Sequence, residues 1–355
     1  GAIMVFIFSF TDLGTPLIFG YRPLLPVRIF SYLSDIEATN EAYVLVMVVL
    51  VLTSVLFLVS KRIMGRRSYA MMARASSSAV ERPVGRTTAA LIWIGFAVVM
   101  FAALVPHVGV VLTSVTGRWF DTPLPETFTL DHYSNALGHK LTVPAIRNSL
   151  VLSLVATCIN VVLGIFIAWV VVRKRPWFAD LLDTLVMLPL ALPGIVLAFG
   201  YLRCFDGVPL LDPGVNPMPL LAIAYAVRRL PYVVRAAVAG LQQTSETLEE
   251  ASVNLGASPL RTVTRITIPL VLANLISGAI LAFSFAMLEV SDSLILARTE
   301  QYYPITKAIY DLFARLDDGP YIASALGVWA MVFLALSLVA ASVAMGKKMG
   351  QIFRA

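Results

Sequence analysis

Three acids stand where long apolar runs give way to polar sequence: Asp12, Glu289 and Asp292. A carboxylate at such a position is costly unless it has work to do, so each is a candidate for a solute path. Glu289 and Asp292 follow Pro269 at a helical distance of roughly 30 Å, which places them at the outer mouth of a span begun there. The bland alternative is that they are solvated span ends. Arg228, Arg229 and Arg235 flank Leu230-Pro231. They read as interfacial anchors, or as partners for lipid phosphate and for Glu249. His107, His132 and His139 lack metal-ligand spacing, even with Asp131 beside them, and Cys158 and Cys204 stand in no CxxC or CxxH pattern. No metal site and no cofactor is expected. No GxxxxGK[ST] phosphate loop occurs, so any nucleotide hydrolysis must come from a partner.

The surroundings of these residues are those of a bilayer. Of 355 residues, 59% are hydrophobic and 14% charged, and the mean hydropathy is +0.84. A soluble domain carries about 25% charged residues, and a disordered chain needs low hydrophobicity. Both classes are excluded. Candidate spans of about 20 apolar residues cover 42–60, 89–115, 146–172, 180–203, 218–239, 270–290 and 322–346, with a partial one at the N-terminus. Pro106, Pro189 and Pro193 fall inside them as kinks. Leu192-Pro193-Gly194 reads either as a simple irregularity or as a break that lets backbone line a cavity.

The net charge of +6 is a topology signal. Basic residues gather at Lys61, Arg62, Arg66, Arg67, Arg74, Arg82 and Arg86, at Arg173-Lys174-Arg175, and at Lys347, Lys348 and Arg354. These regions alternate with acidic or neutral loops, so they are expected to be cytoplasmic, the C-terminus with them. Lipid is the expected partner of this surface, and nucleic acid is not.

Residues 1–20 repeat residues 278–297: Gly1, Ala2, Ile3, Phe6, Phe8, Leu17 and Ile18 fall on Gly278, Ala279, Ile280, Phe283, Phe285, Leu294 and Ile295, and Asp12 falls on Glu289. The chain opens at Gly1 inside an apolar run. The expectation is a duplicated protein: 1–60 as the last spans of a truncated first copy, 61–87 as a basic, Ser-rich cytoplasmic linker, and 88–355 as a complete second copy with six spans.

One loop, 243–269, is unlike the others. Ser245 or Thr244 can cap a first helix whose early turns hold Glu246, Glu249 and Glu250, where the helix dipole favours acids. Gly256 suits the left-handed residue that ends a helix. Ser258-Pro259 is an N-cap followed by proline at the first helical position. Such a helix pair under a membrane can dock into a groove on another protein.

The loop resembles the EAA loop of permease subunits of binding-protein-dependent ABC importers, closest to the duplicated ferric-iron type. That pattern is Glu-Ala-Ala, three residues, Gly, nine residues, Ile, one residue, Leu-Pro. Here Glu250-Ala251-Ser252, Gly256, Ile266 and Ile268-Pro269 stand at those spacings, with Ser252 for the second Ala and Ile268 for Leu. The resemblance implies an all-α polytopic inner-membrane permease with no chemistry of its own. Its implied partners are cytoplasmic ABC ATPase subunits docked on the loop, a periplasmic solute-binding protein, and the missing first permease half. Iron is the preferred solute; phosphonate, thiamine and polyamine importers share much of the pattern. A secondary transporter is the rival class, and it would place its carboxylates near the membrane midplane.

Overall fold

The computed structural model describes residues 5, 6, 9–34, 40–65, 84–119 and 122–352. Most of the expected linker, the matched residues Gly1, Ala2, Ile3 and Phe8, and Arg354 lie outside the described residues.

Apolar sequence of this length has one economical solution in a bilayer, the helix, because it satisfies its own backbone. The described chain is accordingly helical. Three N-terminal helices, α1 (Gly14–Ile18), α2 (Leu25–Ser34) and α3 (Asn40–Gly65), precede α4 (Arg86–Val115) and the short α5 (Asp131–Gly138). Then come α6 (Thr142–Trp169), which runs into a π turn at Val170–Lys174, α7 (Ala179–Ala191), α8 (Gly194–Cys204) and α9 (Met218–Gln243). The loop helices α10 (Thr247–Asn254) and α11 (Pro259–Thr262) lead through a second π turn, Val263–Thr267, into α12 (Ile268–Met287). Three more helices close the chain: α13 (Ser291–Leu296), α14 (Ile305–Phe313) and α15 (Gly319–Ile352).

Among the described residues, five stretches are long and apolar enough to cross a membrane: 40–59, 86–115, 142–174, 259–287 and 319–339. They match five of the expected spans. The expected span 180–203 is instead two helices, α7 and α8, meeting at 103°. Leu192-Pro193-Gly194 is therefore a true break. Proline at 193 cannot donate a helical hydrogen bond, and Leu192 before it is driven to an extended conformation.

The expected span 218–239 is helical, yet Arg228, Arg229 and Arg235 set it apart from the lipid-like segments. It carries more buried residues than any other described helix and packs along α6 and α12. Leu220, Leu221, Tyr225, Val233, Val234, Ala237 and Leu241 of α9 are essentially inaccessible. By contrast α4 is exposed along almost its whole length, as a lipid-facing helix would be.

The contact of α9 with α12 is close because glycine permits it. A Cβ on Gly278 would sit 2.8 Å from Ala236 Cβ and 3.0 Å from Val233 Cα. Small residues at such crossings bring helices together where no hydrophobic effect acts between them. Gly278→Val is therefore expected to destabilise the bundle by at least about 1–3 kcal/mol. Gly109→Ala, on open α4 surface, should change nothing. Thermal melting of the detergent-purified chain compares the two, and equal melting temperatures would show that the crossing tolerates a side chain.

The histidines are structural. His132 Nε2 lies 2.8 Å from the Thr116 carbonyl oxygen, and the ring stacks on Tyr321. His107 Nδ1 bonds back to the Ala103 carbonyl oxygen of its own helix. His139 lies 3.2 Å from Arg315; burial first, then Arg315 and Lys140, push its pKa below the usual histidine value. No group of three potential metal ligands occurs among the described residues.

Candidate functional site

Two sites emerge at different levels of the bundle. The first is the loop after α9. Thr244 leaves the helical conformation, and α10 starts at Thr247 with Glu246 at its N-cap position. The expected cap is thus displaced. Ser245 Oγ accepts from the Thr247 N–H at 3.3 Å, and the Thr244 hydroxyl is taken up by Leu241 and Arg173. Gly256 ends the helix at φ +86°, the left-handed conformation expected of it. Ser258 Oγ accepts from the Arg261 N–H at 3.4 Å and Pro259 takes the first helical position, again as expected.

The two loop helices are joined by a hydrogen bond between Ser252 Oγ and Thr262 Oγ1, 2.9 Å long. An alanine at 252 could not make it. Glu250 and Ala251 are exposed, Ile266 and Ile268 half-buried, and Pro269 exposed at the start of α12. No residue of α10 is buried. Leu248, Val253, Leu255 and Leu260 are all exposed, Leu255 at 89%. So four exposed apolar side chains stand on a loop whose backbone continues into a span.

The second site is charged and lies deep in the bundle. Arg228 grips Asp292 with two bonds, Nε to Oδ2 at 3.2 Å and Nη2 to Oδ1 at 3.1 Å. Its Nε also lies 3.4 Å from Glu289 Oε2, and Arg229 pairs with the same carboxylate. Arg228 Nη2 further donates to the Gly194 carbonyl oxygen at the α7–α8 break. Glu289 and Asp292 are only 4% and 0% exposed. They are therefore not the solvated span ends of the sequence reading. The helix α12 stops at Met287, and the chain folds inward before α13, carrying both acids against α9.

The arginines also depart from expectation. Arg228 and Arg229 sit at mid-length of α9, not at its end, and face acids rather than lipid. Arg235 pairs with Asp183 at 2.9 Å. Glu249 is held by Arg173, which the sequence reading did not single out. The available signal was cost: two adjacent arginines in the middle of a span need buried counter-charges.

Asp12 does come to the same place as Glu289. Both line one cavity of about 450 Å³, with Thr11, Gly14, Leu192, Gly194, Arg228, Arg229 and Ser291. Asp12 remains exposed and has no ion pair among the described residues. The surroundings of the two acids differ, but the backbone that follows each is alike. Leu13 takes the N-cap position of α1 as Val290 does that of α13, and a Cβ on Gly14 would touch Val290 Cγ1 at 3.4 Å.

Comparison with known proteins adds to this geometry. The sequence pattern of the family described as "Binding-protein-dependent transport system inner membrane component" matches residues 160–344. The chain is 29% identical over 345 residues to the ferric transport system permease protein FbpB of Actinobacillus pleuropneumoniae, covering 95% of this chain and 49% of that protein. It is 30% identical over 186 residues to the molybdate/tungstate transport system permease protein WtpB of Pyrococcus furiosus, covering 52% of this chain and 71% of the relative. The chain thus spans about half the length of the ferric-type relative. Among solved structures it resembles a chain of a bacterial ABC transporter involved in the import of the acidic polysaccharide alginate. There the TM-score is 0.58 at 16% identity, covering 74% of this chain and 99% of that one.

Proposed function

Because the chain belongs to the family of binding-protein-dependent transport system inner membrane components, we propose that it couples a cytoplasmic ABC ATPase to solute movement through the inner membrane. The observation that carries this reading is the exposed two-helix loop. Its exposed apolar side chains Leu248, Val253, Leu255 and Leu260 suit a groove on a partner. Its second helix is continuous with α12, so displacement of the loop displaces a span. Glu250, Ala251, Ser252, Gly256, Ile266, Ile268 and Pro269 are the coupling residues in this proposal. The loop, the C-terminus and the linker then face the cytoplasm, and a periplasmic binding protein delivers solute from the other side.

The cavity shared by Asp12 and Glu289 is the proposed stretch of path. The repeated geometry of α1 and α13 supports a duplicated protein, with 1–60 as the tail of a first copy and 88–355 as the second. The proposed solute is ferric iron, on the strength of the ferric-type relatives.

The test uses the full-length parent protein with its ATPase and binding protein in cells. Saturable uptake of radiolabelled ferric iron that stops when the ATPase is omitted is the expected result. Uptake of molybdate instead would reassign the solute, and uptake without the ATPase would overturn the coupling reading. In the same assay Asp12→Asn should lower uptake severalfold with no loss of protein from the membrane, because an exposed acid contributes little to the fold. Unchanged uptake would remove Asp12 from the path.

A further inference from the structure

The loop helix α10 has no buried residue, yet it must pass force to the bundle. Its covalent continuation runs through α11 into α12. A second connection is electrostatic and reaches a different span. Arg173, in the π turn that ends α6, is 8% exposed. Its Nε donates to Glu249 Oε1 at 3.0 Å, and its Nη2 donates to the Thr244 hydroxyl and carbonyl oxygens at 2.9 and 3.2 Å. Its Nη1 lies 3.6 Å from Glu246 Oε1. One guanidinium thus holds both the end of α9's connection and the first turn of α10.

We propose that Arg173 is a positioning residue that latches the coupling helix to α6, giving the loop a second transmission point independent of its continuation into α12. Three features support it. The contact is buried and multidentate on the arginine side, unlike the exposed pairs that contribute little to stability. The π turn adds a residue to the last turn of α6, which rotates the following side chains by about 100° relative to a uniform helix. Arg173 lies within this turn and meets the loop from it. Finally, α6 packs along α9, the helix that carries Arg228 and Arg229. Motion of the loop is thereby passed to the helix that holds the charged cluster, as well as to α12. Lys174 and Arg175 do not share the role: Lys174 lies over Trp169, and Arg175 is 72% exposed and 3.8 Å from Glu246.

The proposal rests on the coupling reading above, and the experiment separates the two. Arg173→Glu, Glu249→Arg and the two together are placed in the full-length protein assembled with its ATPase. Retention of the ATPase and solute taken up per ATP hydrolysed are read for each. Each single variant is expected to keep the ATPase while uptake per ATP falls about tenfold, the scale of a typical coupling free energy. The exchanged pair should recover most of it. Should the reversed charge reduce the protein in the membrane, Arg173→Gln and Arg173→Lys carry the same test, with lysine expected to be the better of the two. Normal uptake per ATP in the single variants, with ATPase retained, overturns the latch and leaves the coupling reading standing. An exchanged pair no better than the singles also overturns it. Failure of the unsubstituted protein to retain an ATPase overturns both.

Discussion

Gly256→Val releases the ATPase from the membrane complex, whereas Gly256→Asn largely keeps it: this graded result is expected from the backbone at that residue. Gly256 has φ +86°, and a Cβ there would meet no atom within 4 Å. The penalty is therefore conformational rather than a clash. An L side chain in the left-handed region costs about 1–2 kcal/mol, and asparagine tolerates it better than a β-branched residue. No residue of α10 is buried to resist that strain, so the turn reopens and the exposed Leu255 and Leu260 shift relative to each other.

Gly256→Asp adds a charge to the strain and should uncouple as well. Glu250→Lys acts on the same surface by reversing an exposed charge in the first turn of α10, where the helix dipole favours an acid by about 0.3–1 kcal/mol. Membrane insertion should be unaffected in all of these, since none touches a span. Co-purification of the ATPase beside solute uptake checks the series. Full retention and normal uptake in Gly256→Val would remove the turn from the docking surface.

The second large effect is expected at Glu289. Its carboxylate faces both Arg228 and Arg229 at 4% exposure. Glu289→Gln removes one of two buried negative charges and leaves two buried positive ones. Breaking a buried pair by removing one partner costs about 3–5 kcal/mol, while replacing both partners by apolar residues of similar volume is often near neutral. Glu289→Gln should thus lower the thermal stability of the chain and its amount in the membrane, not just transport. Glu289→Met combined with Arg229→Met should recover much of the stability without recovering uptake. Melting temperature and uptake, measured on the same preparations, distinguish the outcomes. A Glu289→Gln protein as stable as the parent would mean that the arginines find other partners. Comparison with Asp12→Asn is direct, because Asp12 lines the same cavity with no ion pair among the described residues and should affect uptake alone.

Much of this was legible in the residues themselves. Spans are a property of local composition, and five of them lie where the apolar runs place them. The shape of the proposed coupling loop is a property of local backbone chemistry. A glycine that reaches positive φ, a Ser-Pro helix start and a fixed spacing to Pro269 act within a few residues of one another, so their sequence already determines the turn. The proposed repeat, too, is read from sequence, and the N-cap positions of Leu13 and Val290 stand in the register it proposes.

What only the tertiary structure decided is where the charges go. Arg228 meets Asp292 across 64 positions of chain and Arg173 meets Glu249 across 76. Such pairings depend on how α9, α12 and α6 cross, and composition does not record a crossing angle. A carboxylate two residues past an apolar run can project into water or fold back into the bundle. For Glu289 and Asp292 the choice was made by the inward bend after Met287 and by two arginines waiting on α9. Desolvation penalises a lone buried charge heavily and a matched set far less, so two acids that read either as path residues or as solvated ends, and two arginines that read as interfacial anchors, form one buried cluster once α9 and α12 are packed together.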